Sequence, residues 1–134
     1  MLKISTVIVI LTLSGGQVES QITNAQGSMA GEVTAESVIL QTRLTGGLST
    51  HDVIGAPGIA RFDLSTSEKF KDAVHTVWQS AQADYDFIIK TKVGSLQAGT
   101  RYFYRSVYGP DTLDVSIGNT GTFRTNDPNG RLPI

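Results

Sequence analysis

The 134-residue sequence contains no cysteine. Disulfides are therefore excluded, and so is a thiolate zinc site. Its two histidines, His51 and His75, do not form the HxxxH or HxH pair that a histidine metal site needs. There is no GxSxG nucleophile elbow, and GGLSTH lacks the GK[ST] ending of a phosphate-binding loop. Charge of one sign is also lacking: eleven Lys and Arg stand against twelve Asp and Glu, a net charge of −1. That leaves no electrostatic footprint for nucleic acid or for an anionic membrane. No repeat, heptad pattern or long amphipathic helix is present.

The longest apolar run lies at the N-terminus. Lys3 precedes ISTVIVILTL at residues 4–13, and SGGQVES follows, with Val18 and Ser20 at the −3 and −1 positions of a cleavage site. This three-part pattern predicts a secretory signal peptide over residues 1–20. The run is about half the ~20 residues a membrane span needs. With no cysteine after it there is no lipoprotein attachment site, and there is no twin Arg. The expectation is a secreted or periplasmic protein, free of the membrane after cleavage. Its mature chain of roughly 114 residues starts near Gln21 and is large enough to fold without staples.

Period-two alternation dominates that mature chain. Residues 21–27 are a polar lead-in, and SMAGEV at 28–33 is a weak first strand. In 37–44, Val38, Leu40, Thr42 and Leu44 alternate with Ser37, Ile39, Gln41 and Arg43. Residues 45–58 are rich in Gly and read as a loop. In 58–64, Phe62 and Leu64 fall on the core side, with Ile59, Arg61 and Asp63 opposite. STSEKFK at 65–71 fits one helical turn capped by Ser65 or Ser67, with Phe70 packing back. A short strand at 74–78 and a polar connection at 79–86 follow. In 87–93, Phe87, Ile89, Thr91 and Val93 share one face. In 101–108, Tyr102, Tyr104, Ser106 and Tyr108 point inward if Tyr102 does, leaving Arg101, Phe103, Arg105 and Val107 outward. A turn-rich connection and a last strand at 120–125 complete about seven strands. The fold class is all-β: a seven-stranded antiparallel sandwich over residues 21–125, followed by a linker at 126–134.

The most specific local signal is GSLQAGTRYFYR at 94–105. Leu96, Gly99, Thr100 and Tyr102 have the arrangement of the corner in fibronectin- or immunoglobulin-type sandwiches. There a Tyr near the start of a late strand bonds upstream backbone. The expected partner is the backbone near Leu96, with Leu96 plugging the core beneath.

Candidates for chemistry are weak beside this. Ser49, His51 and Asp52 are neighbours in one loop and cannot converge as a relay. Asp84 with Asp86, and Asp111 with Asp114, lie in turns where Asp bonds local backbone. Residues 126–130, NDPNG, lack the alternation and closing Glu of an EF-hand loop and read as a linker turn. Trp78, Phe103 and Tyr85 are candidate surface aromatics, able to form a stacking platform for sugar; the plainer expectation has Trp78 capping an edge of the core and Phe103 packing on a neighbouring domain. Catalytic and metal residues are expected to be absent.

The ordered blocks GEVTAESVILQTRLTG, GIARFDLSTSEKF, DFIIKTKVGSLQAGTRYFYR and GTFRT, from about residue 30 to 125, resemble the N-terminal domain of PhoD-like alkaline phosphatases. That domain is a fibronectin-III/immunoglobulin-like sandwich, similar to the one preceding the catalytic domain of purple acid phosphatases. Gln41 stands where the family often has Trp, and Ala98 where Pro is common; bacterial members often carry a twin-Arg signal. The resemblance implies an accessory fragment of a secreted metal-dependent phosphatase or phosphodiesterase. Iron and calcium would belong to the catalytic domain beyond this chain, and no cofactor to the chain itself. Arg101, Phe103 and Arg105 are the candidate surface for meeting that domain. The alternative is a stand-alone secreted sandwich for binding, adhesion or assembly.

Overall fold

The computed structural model describes residues 22–46 and 54–130. The expected signal peptide, Gln21, the loop residues Ser49, His51 and Asp52, and residues 131–134 lie outside the described residues. Eleven strands follow one another: β1 (Ser28–Gly31), β2 (Val38–Arg43), β3 (Thr45–Gly46), β4 (Ile54–Gly55), β5 (Gly58–Ser65), β6 (Val74–His75), β7 (Gln79–Ala81), β8 (Ile88–Val93), β9 (Arg101–Asp111), β10 (Asp114–Ile117) and β11 (Gly121–Arg124). A short 3-10 turn, Ala83–Tyr85, lies between β7 and β8.

The strands form two main sheets. The small sheet runs β1-β2-β8 and is antiparallel throughout. In the large sheet β9 lies at the centre. One edge of β9 pairs with β5; the other pairs with β11 near its start and β10 near its end. The free side of β5 is completed by β7 and β6 in turn.

Alternation on facing strands builds the core between the sheets. Val38 and Leu40 come from β2, Ala60, Phe62 and Leu64 from β5, Ile89 from β8, and Tyr102 and Tyr104 from β9. Phe62 is fully enclosed. These are the residues that the period-two pattern assigned inward, and they remove apolar area from water at roughly 25 cal/mol per Å2.

Several segments differ from the sequence reading. Within the segment expected to be loop, Thr45–Gly46 and Ile54–Gly55 pair as the antiparallel β3/β4 ladder. Residues 65–71 make one hydrogen-bonded turn, with no assigned helix: the Phe70 amide donates to the Ser67 carbonyl at 2.9 Å and Ser67 Oγ accepts the Lys69 amide at 3.1 Å, while Ser65 Oγ donates to the Lys71 carbonyl at 2.6 Å and accepts the Ser67 amide at 3.0 Å. The strand expected over 74–78 stops after His75. There the Phe62 amide donates to Thr76 Oγ1 at 2.8 Å, so a side chain takes the place of the next ladder acceptor. The polar connection contributes β7, and the turn-rich segment after Tyr108 extends β9 and supplies β10. A shift of register between Asp114 and Ser116 brings the β10 backbone onto Gly109. A Cβ at position 109 would collide with the Asp114 carbonyl, so only Gly fits there.

Candidate functional site: the outer face of the large sheet

β9 sends Tyr102, Tyr104 and Ser106 into the core, so Arg101, Phe103 and Arg105 face outward; Val107, expected to be outward, alternates onto that face but is buried, at 4% exposure. Cross-strand register assembles the rest of that face. Asp63 of β5 sits between His75 of β6 and Arg105 of β9, while Arg61 lies opposite Val107. Ser65 stands opposite Phe103, and Thr122 of β11 lies on Phe103's other side.

Asp63 points away from the core, yet it is only 1% exposed. Its neighbours enclose it. Arg61 Nε donates to Oδ1 at 3.1 Å, Arg105 Nε donates to Oδ2 at 3.3 Å, and His75 Nδ1 lies 2.6 Å from Oδ1. Each guanidinium in turn lies against an aromatic ring: Arg61 is 5.0 Å from the Trp78 centroid, and Arg105 is 4.0 Å from that of Phe70. The expectation that Trp78 caps the core is corrected here. The chain leaves the ladder at residue 76, and the indole lies over the outward Arg61.

At the other end of the face, Arg101 and Arg124 are direct cross-strand partners, and both are exposed. Like charges placed opposite one another are mildly destabilising. Neither has a carboxylate partner among the described residues. Half-buried Phe103 lies two residues along the same face, beside Arg105 and its buried carboxylate.

The corner beneath this end is densely bonded. The Gln97 amide donates to the Tyr102 hydroxyl at 2.8 Å, and half-buried Leu96 packs on the core. Gly99 takes φ +56°, a conformation that favours glycine, and its amide donates to the Asn126 carbonyl at 3.0 Å. The Thr100 amide donates to Thr125 Oγ1 at 2.9 Å, and that hydroxyl donates to the Gln97 carbonyl at 2.6 Å. The Tyr102 ring stacks on Phe123, with centroids 5.5 Å apart. Asn126, at the start of the expected linker, is held by hydrogen bonds to Thr34 and Val33.

The remaining candidates take local roles. Asp86 pairs with Arg43, Asp111 Oδ1 accepts the Leu113 amide at 2.8 Å, and Asp127 Oδ1 accepts the Asn129 amide at 2.9 Å. Among the described residues no group of three or more His, Asp or Glu can hold a metal ion. The carboxylate with the most converging partners, Asp63, faces two guanidinium groups, which would repel a cation. Sequence reasoning missed the Asp63 cluster because its members are spread over residues 61–105 and meet only through register.

The strand order and the corner together define an all-β antiparallel sandwich of the fibronectin type III/immunoglobulin kind. Residues 13–127 match the family described as PhoD-like phosphatase, N-terminal domain, and the chain belongs to that family. It superposes on the solved structure of PhoD with a TM-score of 0.63 at 18% identity, covering 88% of this chain and 21% of that one. The chain therefore spans about a fifth of that structure's length. It is also similar to the sensor domain of the anti-sigma factor RsgI4 in Pseudobacteroides cellulosolvens, with a TM-score of 0.52 and 18% identity over 82% of this chain and 95% of that one. A fibronectin type III domain from the human KIAA0970 protein gives a TM-score of 0.54 at 11% identity, over 87% and 81% of the respective chains. These likenesses show the fold alone. No protein of curated function matches the chain.

Proposed function

We propose that this domain is the non-catalytic N-terminal module of a secreted PhoD-like alkaline phosphatase or phosphodiesterase, and that it packs on the metallophosphatase domain. The observation that carries the reading is the family match over residues 13–127, together with the small share of PhoD that the chain covers. Iron and calcium would reside in the partner domain, and the N-terminal signal would direct export to the periplasm or the exterior. The docking surface is the Arg101 end of the large sheet's outer face. Phe103 supplies apolar area, and Arg101 with Arg124 supplies an unneutralised cationic pair that an acidic surface of the partner would satisfy. Arg105 acts from behind, holding Asp63 and Phe70 in place.

The test begins with the coding sequence beyond Ile134. A continuing frame with Asp, His and Asn metal motifs is expected. That downstream polypeptide, produced separately, should bind the purified domain, and Phe103→Asp should weaken binding by about tenfold or more. The domain alone, with added Fe3+ and Ca2+, should not hydrolyse a phosphomonoester or a phosphodiester. Metal-dependent hydrolysis by the domain alone would overturn the reading. An immediate stop codon would favour the stand-alone binding or assembly module, for which the exposed hairpin residues Leu113, Val115 and Ile117 offer an apolar contact.

A further inference from the structure

The opposite side of the sandwich carries a different surface. On the small sheet's outer face, Met29, Gln41 and Lys90 form one cross-strand row over β1, β2 and β8. Beside that row, β7 and the 3-10 turn rise as a wall. Floor and wall enclose an open groove of about 690 Å3 lined by Gln41, Gln79, Gln82, Tyr85, Ile88 and Lys90, with Ser80. A second hollow of about 320 Å3, reaching Gln26, Met29 and Arg43, shares Gln41 and Ile88 with it, so the two adjoin across the sheet and are taken together as one trough.

The lining is chemically selective. Four of the chain's seven glutamines, Gln26, Gln41, Gln79 and Gln82, lie along the trough. Each amide offers both donors and an acceptor. Gln79 is already turned toward Thr91 and Gln26 toward Arg43, leaving the Gln41 and Gln82 amides without a side-chain partner among the described residues. Tyr85 stands 70% exposed on the wall, the most solvent-exposed aromatic ring among the described residues. The left-handed Asp86 (φ 54°) turns the chain directly after it. The one carboxylate at the rim, Asp86, is paired with Arg43 at 3.1 Å. An extended trough with an open aromatic face, free amides and little net charge complements a neutral polyhydroxylated chain. The C–H face of a sugar ring meets the electron-rich face of the tyrosine, and its hydroxyls pair with amides that both donate and accept. An apolar peptide would leave those amides unpaired, and a phosphorylated ligand would find Lys90 and an Arg43 already paired with Asp86.

We infer that this trough is a binding site for a neutral oligosaccharide, with Tyr85 as the stacking platform and Gln41 and Gln82 as the hydroxyl-reading groups. It lies on the face opposite Arg101 and Phe103, so it does not depend on the docking proposed above.

The test is titration of the purified protein with cellohexaose, maltohexaose and N-acetylchitohexaose, followed by calorimetry and by NMR of the tyrosine ring and glutamine side-chain amides. At least one sugar is expected to bind and to shift the Tyr85 ring and Gln41 amide signals. Tyr85→Ala should weaken binding about tenfold, Tyr85→Phe less than about threefold, and Gln41→Ala by an intermediate factor. Phe103→Asp should leave the affinity unchanged. A thermal melt of each variant, expected to match the parent, separates lost binding from lost folding. The inference is overturned if none of the three sugars shifts these signals, if Tyr85→Ala binds as well as the parent, or if an extended peptide competes the sugar away at lower concentration.

Discussion

Two Arg–Asp pairs occupy opposite faces of the sandwich at the same separation. Arg61–Asp63 and Arg43–Asp86 both measure 3.1 Å, yet the Asp63 side chain is 2% exposed and that of Asp86 is 69%. Distance alone would rate them equal. The surroundings separate them: Asp63 is also held by Arg105 and His75 beneath two aromatic lids, whereas Asp86 stands in water. An ion pair exposed to solvent is worth about 0–1 kcal/mol, because water and salt screen it. Hydrogen bonds to a charged group shielded from water are worth about 1.5–3 kcal/mol. The large sheet's outer face is therefore a built surface, and the small sheet's is an open one.

Breaking the enclosed cluster should have the largest effect. Asp63→Ala strands two guanidinium groups side by side and should lower unfolding stability by about 2–3 kcal/mol, measured by chemical denaturation. Little change would mean that water already reaches the pair. Next comes the corner beneath the docking end. Leu96→Ala should cost roughly 2 kcal/mol, at the low end for a core leucine because Leu96 is half-buried. Tyr102→Phe removes only the bond from the Gln97 amide and should cost about 1 kcal/mol. Equal and negligible losses from these two would remove the corner's structural role. Asp86→Ala on the open face should cost less than about 1 kcal/mol, and the difference should fade in high salt. A loss as large as that of Asp63→Ala would end the contrast between the faces.

The smallest effect at neutral pH comes from the phenols between the sheets. Burial raises the Tyr104 phenol above its usual value, partly offset by a backbone hydrogen bond with Ala30; burial also raises Tyr108. Between the unfolded and folded pKa the native state holds the extra proton, so stability is fully present below about pH 10 and falls as pH rises past it. Tyr104→Phe should flatten part of that alkaline decline in a series of melts. An unchanged decline would assign it to other groups.

The sandwich was legible because its core obeys a period of two: Val38, Leu40, Phe62, Leu64, Ile89 and Tyr104 sit where alternation puts them. The segments misread were those where a side chain replaces a backbone ladder bond, at Thr76, and where short strands pair inside glycine- or turn-rich sequence, at β3, β4 and β10. Asp63 could not be recognised as buried, since an outward Asp on a strand has the pattern of a solvated residue. Its enclosure depends on β5, β6 and β9 arriving in one register, and register is a property of the assembled sheet. The trough was hidden for the same reason: Gln41 and Tyr85 are 44 positions apart in sequence.

The anchoring of Asn126 has a mechanical consequence. Near its start the described chain enters by the Thr23–Thr45 bridge at one end of β2; after β11 it leaves by hydrogen bonds to Thr34 and Gly99 at the other. β1 and β11 run in the same direction between those ends. A pull between them loads the ladders lengthwise, so many bonds must yield together before either strand slides. Peeling would break them singly. A domain threaded in this way transmits tension along its strands while keeping its shape, and its lifetime under load is set by an unfolding rate.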